Sequence, residues 1–448
     1  MDNTSYSSER YGWYVVFVLC VCGVVANIDR QIINLLVEDI RTDLLVSDTQ
    51  ISLLQGFAFA VFYAIVAIPL GRLADSKSRR MLITIGIIAW SLAAIACGLA
   101  ETYSQLFAAR MAVGIGEAVL TPAGFSLLAD LFKPRRLARP ISVYTASSFL
   151  GGGIALMVGG IILDALNQPG GSPALAFLGD RATWQSAFIL GALPGIPVAI
   201  WFFLSVKEPP RRVTAQAKID AETYREGFRH AVKFCLDNRR LFFSVFVGLS
   251  VLAAAQFALG AWVPAYFIRV HGWEASQIGN AQGLLFMIGG TAGVVAGGWT
   301  TDYLFKRGYY DANLRTSALA ALLSLPWLLA AVLVDNPNLA IWLLAPGMFF
   351  GTMPFGAGPA TIPAISPPYF RAQLVAVYLL IANLVGQSGG PWVVAMLTDN
   401  LFGRPDAIGG SLAIAVPTLL VLGAALAAFG CRPLRERLKP TDTNDQAG

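Results

Sequence analysis

The sequence predicts an all-α integral membrane protein of twelve transmembrane helices in two six-helix pseudo-repeats. Three observations carry this: an apolar composition, a one-sided distribution of basic residues and an internal repeat. Of the 448 residues, 56% are hydrophobic and 13% charged, and the mean hydropathy is +0.62. A soluble domain carries about 25% charged residues. Apolar segments read as helices at about 12–36, 50–74, 81–100, 104–131, 140–163, 184–206, 241–268, 277–304, 313–334, 338–364, 371–397 and 408–430. At 1.5 Å per residue, segments of this length suit a hydrocarbon core of about 30 Å.

The loops set the orientation. With the N-terminus inside, 26 of the 32 Lys and Arg fall on the side of the termini, and four (Arg41, Arg181, Arg269, Arg404) on the other. The remaining two, Arg30 and Arg110, lie within helices. The positive-inside rule then predicts cytoplasmic termini, in a plasma (inner) membrane. The first apolar stretch has no basic n-region or cleavage site before it and is expected to remain as a helix.

The repeat sets the domains. Gln50-Ile51, Gln55-Gly56 and Gly71…Asp75 recur at Gln277-Ile278, Gln282-Gly283 and Gly298…Asp302, all offset by 227 residues. A weaker echo pairs Pro134…Val143-Tyr144 with Pro368…Val377-Tyr378. Parallel halves are expected at 1–206 and 241–430, about an axis along the membrane normal. The basic linker 207–240 carries Tyr224, Phe228, Ala231 and Cys235 at helical spacing, which predicts a short amphipathic surface helix. Residues 431–448 form a cytoplasmic tail, polar beyond Pro440. Ser47 and Gln50 have capping-box spacing at the start of the second helix. Gly151–Gly153 and Gly159-Gly160 permit close helix approach in the fifth. Gly356, Gly358, Pro359, Gly389, Gly390 and Pro391 interrupt helices ten and eleven, as suits segments that bend.

Composition also excludes. The net charge of +5 follows the loops rather than one face, so no nucleic-acid partner is expected. The five cysteines give neither a disulfide framework nor metal-ligand spacing, and His230 and His271 are far apart, so no metal or cofactor is expected. No G-x-x-x-x-G-K-[ST] occurs, and no catalytic motif stands in an appropriate context, so neither an ATP-driven pump nor an enzyme is expected.

The stretch Leu106–Asp130 is long and apolar enough to span a bilayer, yet it contains Arg110 and Glu117. A charge at the bilayer centre costs at least about 2.5–3.5 kcal/mol, so such residues need partners and a reason. Their spacing of two turns puts both on one face. The first helix adds Asp29 and Arg30. By depth, Asp29 should pair with Arg110, leaving Glu117 nearer mid-membrane and Arg30 free to reach it or the cargo. A carboxylate whose proton occupancy depends on which way a cavity faces is a coupling site, with the proton as coupling ion.

The second half places no Asp, Glu, Lys or Arg deep in its spans and offers amides and rings instead. The expected cavity lining is Asn27, Asn34, Phe57 and Tyr144 from the first half, and Gln256, Phe257, Trp262, Tyr266, Phe286, Phe355, Tyr378 and Asn383 from the second. One charged wall facing one aromatic wall suits a small amphipathic or anionic cargo. The expected assembly is a monomer in the lipid bilayer. A proton-coupled secondary transporter and an uncoupled uniporter or flippase both fit these residues.

Gly71-Arg72-Leu73-Ala74-Asp75-Ser76-Lys77-Ser78-Arg79-Arg80 resembles the loop 2–3 signature of the major facilitator superfamily, and Gly298 to Arg307 is its second copy. Arg110…Gly114 resembles the superfamily's helix-four motif, and the glycines of helix five its helix-five motif. Ser76, Ser78 and the missing helix-five proline depart from the pattern. The resemblance covers about 12–430. It implies alternating access and a cytoplasmic gate of Gly71, Arg72, Asp75, Arg79, Arg80, Asp302 and Arg371, with Asp75 latching near Arg371. The plainer reading makes Asp75 and Asp302 helix-start carboxylates of helices three and nine. Asn27-Ile28-Asp29-Arg30, Arg110…Gly114-Ile115-Gly116-Glu117 and the Gly151–Gly160 pattern are most similar to spinster-type members, which implies lipid-like cargo such as lysolipids or sphingolipids. Anion:cation symporters share parts of this pattern.

Overall fold

The computed structural model describes residues 8–133, 136–167, 178–210, 229–230, 232–367 and 371–439. Among them, twelve helices are long and apolar enough to cross a membrane. They are α1 (Glu9–Asn34), α2 (Asp48–Ala67), α3 (Arg79–Cys97), α4 (Tyr103–Leu131), α5 (Arg139–Leu166) and α6 (Thr183–Ser205) in the first half. The second half has α7 (Arg239–His271), α8 (Ala275–Lys306), α9 (Ala312–Leu333), α10 (Pro337–Ile365), α11 (Gln373–Phe402) and α12 (Pro405–Leu438). Twelve crossings return the chain to the end at which it began, so the N-terminal and C-terminal helices share one end of the bundle. The other is called the distal end.

Side-chain caps begin several helices, because the first N–H groups of a helix have no partner within it. At α2, Ser47 Oγ accepts from Gln50 N–H at 3.2 Å and Gln50 Oε1 accepts from Ser47 N–H at 2.9 Å. The repeat reproduces half of this box at α8, where Gln277 Oε1 accepts from Glu274 N–H at 3.1 Å. Ser78 caps α3 and Thr102 caps α4.

Those caps correct one expectation. Asp75 lies in the last turn of the helix that continues α2 to Ser76, and Asp302 in the last turns of α8, so neither starts the next helix. A carboxylate at a helix C-terminus is disfavoured by the helix dipole, so local helix stability does not account for either residue.

The spans are not uniform rods. α4 breaks at Ala118-Val119, immediately after Glu117, and α1 tightens into a 3₁₀ turn at Ile32–Asn34, just after Asp29-Arg30. Wide π turns occur in α2 (Leu53–Phe57), α8 (Phe286–Gly290) and α11 (Ala382–Ser388). Such turns often mark functional sites.

The halves meet at two glycine seats that the sequence repeat marks. A methyl group on Gly56 of α2 would stand 2.6 Å from the Gln387 carbonyl of α11. One on Gly283 of α8 would stand 2.6 Å from the Gly153 carbonyl of α5, and one on Gly153 only 2.4 Å from the Gly283 carbonyl. Only hydrogen fits, so these backbones touch directly.

In the linker, Tyr224, Phe228 and Ala231 fall outside the described residues, as do the polar residues 440–448. Cys235 lies in a short helix leading into α7, where Phe234 packs edge-on to Phe242 at 5.5 Å.

Candidate functional site

The buried charges gather between α1 and α4. Arg30 forms an ion pair with Glu117, whose side chain is 1% exposed against 30% for the arginine. The guanidinium lies 4.4 Å from the ring centroid of Phe59, which stacks on Tyr63 at 5.5 Å. A delocalised cation is attracted to an aromatic face, so the ring supports the arginine where the carboxylate alone would have to hold it. One face of Glu117 is thereby answered; its Oε1 has no hydrogen-bond partner among the described residues.

Arg110 behaves differently from its expectation. Its Nη1 donates to the backbone carbonyl of Asp29 at 2.9 Å and its Nε to the carbonyl of Leu54 at 3.4 Å. Neither oxygen of the Asp29 carboxylate has a hydrogen-bond partner among the described residues. The reason is local: Asp29 sits in the last turn of its α-helical stretch, where carbonyls lack intrahelical donors. Leu54 lies in a π turn, where the carbonyl ladder slips. The fully buried guanidinium therefore clamps two helix backbones, α1 and α2, and leaves the neighbouring carboxylate open.

Beside Arg30 lies a cavity of about 280 Å³ between the halves. Of the expected lining, Asn27, Asn34, Gln256, Phe257, Phe286 and Phe355 border it, together with Arg30 of the charge cluster. The others do not. Phe57 is 42% exposed on the outside of α2. Tyr144 is buried edge-on to Phe125 at 5.7 Å. Trp262 donates to the Pro391 carbonyl at 2.9 Å, and Tyr266 to the Val332 carbonyl at 3.2 Å. Tyr378 packs by Phe246, and the Asn383 amide donates to Leu379 of its own helix at 2.8 Å. Helical periodicity separates buried from exposed faces, and it does not separate a cavity wall from a helix–helix contact.

Gln31, Gln55, Phe149, Thr352 and Gln387 also line the cavity, beyond the expected set. A signal existed for the first: Asn27, Arg30, Gln31 and Asn34 recur at i, i+3, i+4 and i+7, one polar stripe on an otherwise apolar helix. Gln55 is one of the repeated glutamines. Its Nε2 donates to Asn34 Oδ1 at 3.1 Å and to the Ala261 carbonyl at 3.3 Å, linking α2, α1 and α7.

At the distal end, Arg269 of α7 reaches across to the first half, donating to Asp48 at 2.6 and 2.7 Å and pairing with Glu38. Asp399 of α11 accepts from Thr49 N–H at 2.7 Å. These contacts close that end with side chains from both halves.

At the terminal end, the side chains of Arg72 and Asp75 lie outside the described residues, and Arg371 donates to the Ser366 carbonyl at 3.2 Å. Arg79 is buried within the first half. It pairs with Asp130 and with Glu208 at 2.8 Å, so it is not a free surface charge. Arg80 lies 4.1 Å over the ring of Phe203, and Asp302 is exposed. Burial pushes the Glu208 carboxyl up. Donation from Arg80 N–H, Arg79 and Ser78 outweighs this and holds it below the ordinary glutamate value.

The sequence pattern of the Major Facilitator Superfamily matches residues 19–391. The chain belongs to that superfamily. Like the other members it resembles, it is a membrane transporter by fold and kinship. An MFS-type efflux pump of Mycolicibacterium smegmatis is 27% identical over 94% of this chain and 93% of its own length. Protein spinster of Drosophila melanogaster is 26% identical over 88% of this chain, which spans 63% of that protein. The hexuronate transporter of Bacillus subtilis is 24% identical over 93% of this chain and 87% of its own. Among solved structures, a bacterial homolog of the human lysosomal transporter Spinster, inward-facing and unoccupied, superposes with a TM-score of 0.79. It is 25% identical, with 97% of this chain and 100% of that one covered.

Proposed function

We propose that this transporter is a proton-coupled secondary carrier that moves a small amphipathic or organic-anion substrate by alternating access, as a monomer in the plasma membrane with both termini cytoplasmic. The observation that carries the reading is the Arg30–Glu117 pair at the wall of the central cavity. Glu117 is buried and answered by one guanidinium; Arg30 opens to the cavity. A proton arriving on Glu117 cancels its charge and frees Arg30 for an anionic cargo, so proton and cargo occupy the site together. Asp29, buried one residue earlier, is a second proton position. The name of one relative, a hexuronate transporter, supports the organic anion; the amphipathic alternative rests on the resemblance of the motifs to spinster-type members.

In this reading the distal contacts of Arg269 and Asp399 close one side of the cavity while the terminal side admits cargo. Gly71, Arg72, Asp75, Arg80, Asp302 and Arg371 would form the opposite gate. The test is flux into proteoliposomes under an imposed pH gradient. The gradient should drive cargo through the wild type and fail to drive it through Glu117→Gln. Identical gradient dependence in the variant would remove Glu117 from coupling and favour an uncoupled carrier.

A further inference from the structure

Away from the central cavity, a groove of about 720 Å³ runs between α9 and α12 on the outside of the second half. Helical spacing builds it. On α9, Leu319 and Leu322 follow Arg315 at steps of four and three residues. On α12, Val421, Ala425, Ala428, Arg432 and Arg435 recur at the same steps, so each helix lays one stripe along the groove. Both stripes are apolar in mid-span and basic at the terminal end. Leu319, Leu322 and Val421 are exposed, as are Ala425 and Ala428. The other side of α12 packs inward, where a methyl group on Gly423 would stand 2.5 Å from the Leu252 side chain of α7. Among the described residues, none that lines the central cavity comes from α9 or α12, so the groove belongs to the lipid-facing surface.

The basic end of the groove is held in order. Asp311, wholly buried one residue ahead of α9, accepts from Arg315 at 3.0 Å and from Arg435 of α12 at 2.8 Å. That carboxylate ties the two helices together and sets two guanidiniums side by side. Arg315 also lies 4.7 Å from the ring centroid of Tyr309. The Arg435 side chain is half exposed and that of Arg432 is 90% exposed. Arg432 pairs with Glu436 one turn on, an exposed contact of little strength. Three arginines against two carboxylates leave one positive charge at the mouth of an apolar groove.

A phosphodiester with a hydrocarbon chain matches both parts. Guanidinium N–H groups hold phosphate oxygens in pairs, and basic pockets between helices at a membrane surface recognise anionic headgroups. The length agrees: Val421 lies 14 residues from Arg435, about 21 Å along the helix, and one leaflet contributes about 15 Å of hydrocarbon. We propose that the α9–α12 groove binds an anionic phospholipid from the leaflet at the terminal end, its phosphate on Arg432 and Arg435 and one acyl chain between the helices. The site lies apart from the cargo cavity and does not depend on how the carrier is coupled.

The test is native mass spectrometry of the purified full-length transporter, titrated with dioleoylphosphatidylglycerol, dioleoylphosphatidylcholine or inorganic phosphate. The first lipid should bind on the order of tenfold more tightly than the second, which has the same chains and phosphate but no net charge. Arg432→Gln with Arg435→Gln should erase that difference. Ala425→Phe with Ala428→Phe keeps every charge and fills the groove, and should weaken both lipids; these positions are exposed, so the rings displace no packed neighbour. Arg10→Gln with Arg136→Gln removes two exposed arginines from the same end of the first half and should change nothing. Equal affinity for the two lipids would overturn the proposal, as would undiminished lipid binding in the phenylalanine variant. An equal loss in the Arg10 and Arg136 variant would mean diffuse attraction to any basic surface and would overturn it too. Inorganic phosphate displacing phosphatidylglycerol at equal concentration would do the same, since the chain would then add nothing. Should the Arg432 and Arg435 variant fail to fold, the phenylalanine variant and the lipid comparison decide.

Discussion

Arg269 at the distal end of α7 holds the carboxylate of Asp48 at the start of α2 through two parallel hydrogen bonds of 2.6 and 2.7 Å. Both side chains are almost fully buried, and they belong to different halves. Breaking a buried pair by removing one partner costs about 3–5 kcal/mol, since the other charge is stranded. Arg269→Gln is therefore expected to destabilise the distally closed state and populate one in which that end is parted. Spin labels at Glu101 and Asn338, exposed distal positions on the two halves, should show a new, longer distance by pulsed electron resonance. An unchanged distance distribution would show that Arg269 does not hold the halves together.

The glycine seat between α5 and α8 makes a second prediction. A Cβ at residue 283 would press on backbone, not on a movable side chain. Overpacking of this kind costs about 1–3 kcal/mol. Gly283→Ala should slow transport by at least tenfold without lowering membrane insertion, and should lengthen the same label distance. Gly272→Ala is the contrast: a Cβ there meets nothing within 4 Å, but the backbone has φ +67°. It should cost stability locally and leave the label distance alone.

Arg30 and Glu117 form one unit, so their substitutions should not add. Arg30→Ala leaves a buried carboxylate without its cation, and Glu117→Ala leaves a cation over Phe59 without its anion. Each single change should lower thermal stability more than the double change does, with a coupling of about 1–3 kcal/mol in a double-mutant cycle. Additive losses would mean that the pair is not energetically coupled.

Glu208 gives the pH prediction. Its carboxyl is held below the ordinary glutamate value in the folded protein, so its contribution is present above the unfolded value and is lost as pH falls through the folded one. Glu208→Gln should reduce stability at neutral pH by about 1 kcal/mol, or roughly 2–4 °C for a unit the size of one half. The variant's melting temperature should then fall less steeply than the wild type's below about pH 4.3. Parallel curves for the two proteins would exclude Glu208 from the acid transition.

What the sequence yields and withholds follows from physics. The twelve spans are legible because crossing a bilayer demands length and hydropathy that nothing else mimics. The Arg30–Glu117 contact follows from helix direction and depth. The Asp29–Arg110 pairing fails because a guanidinium competes for backbone as readily as for carboxylate, and the turn at Ile32–Asn34 and the π turn at Leu53–Phe57 offer carbonyls that no pattern announces. Trp262 and Tyr378 look like cavity residues in sequence, yet both are spent on packing between helices. Gln387 lies within the π turn of α11, which aims it at the cavity, and that distortion is set by neighbours remote in the chain. The stripe Asn27–Asn34 is legible in the sequence, because polar residues at i, i+3, i+4 and i+7 stand out on an apolar helix.

The Gly56 and Gly283 seats both adjoin residues that line the cavity, and each is a point where two backbones touch without a cushion of side chains. If the halves move as proposed, two such points set the line they turn about. The motion would then be a seesaw, in which parting the lobes above brings them together below. A glycine written twice in the repeat would serve that carrier as an axle.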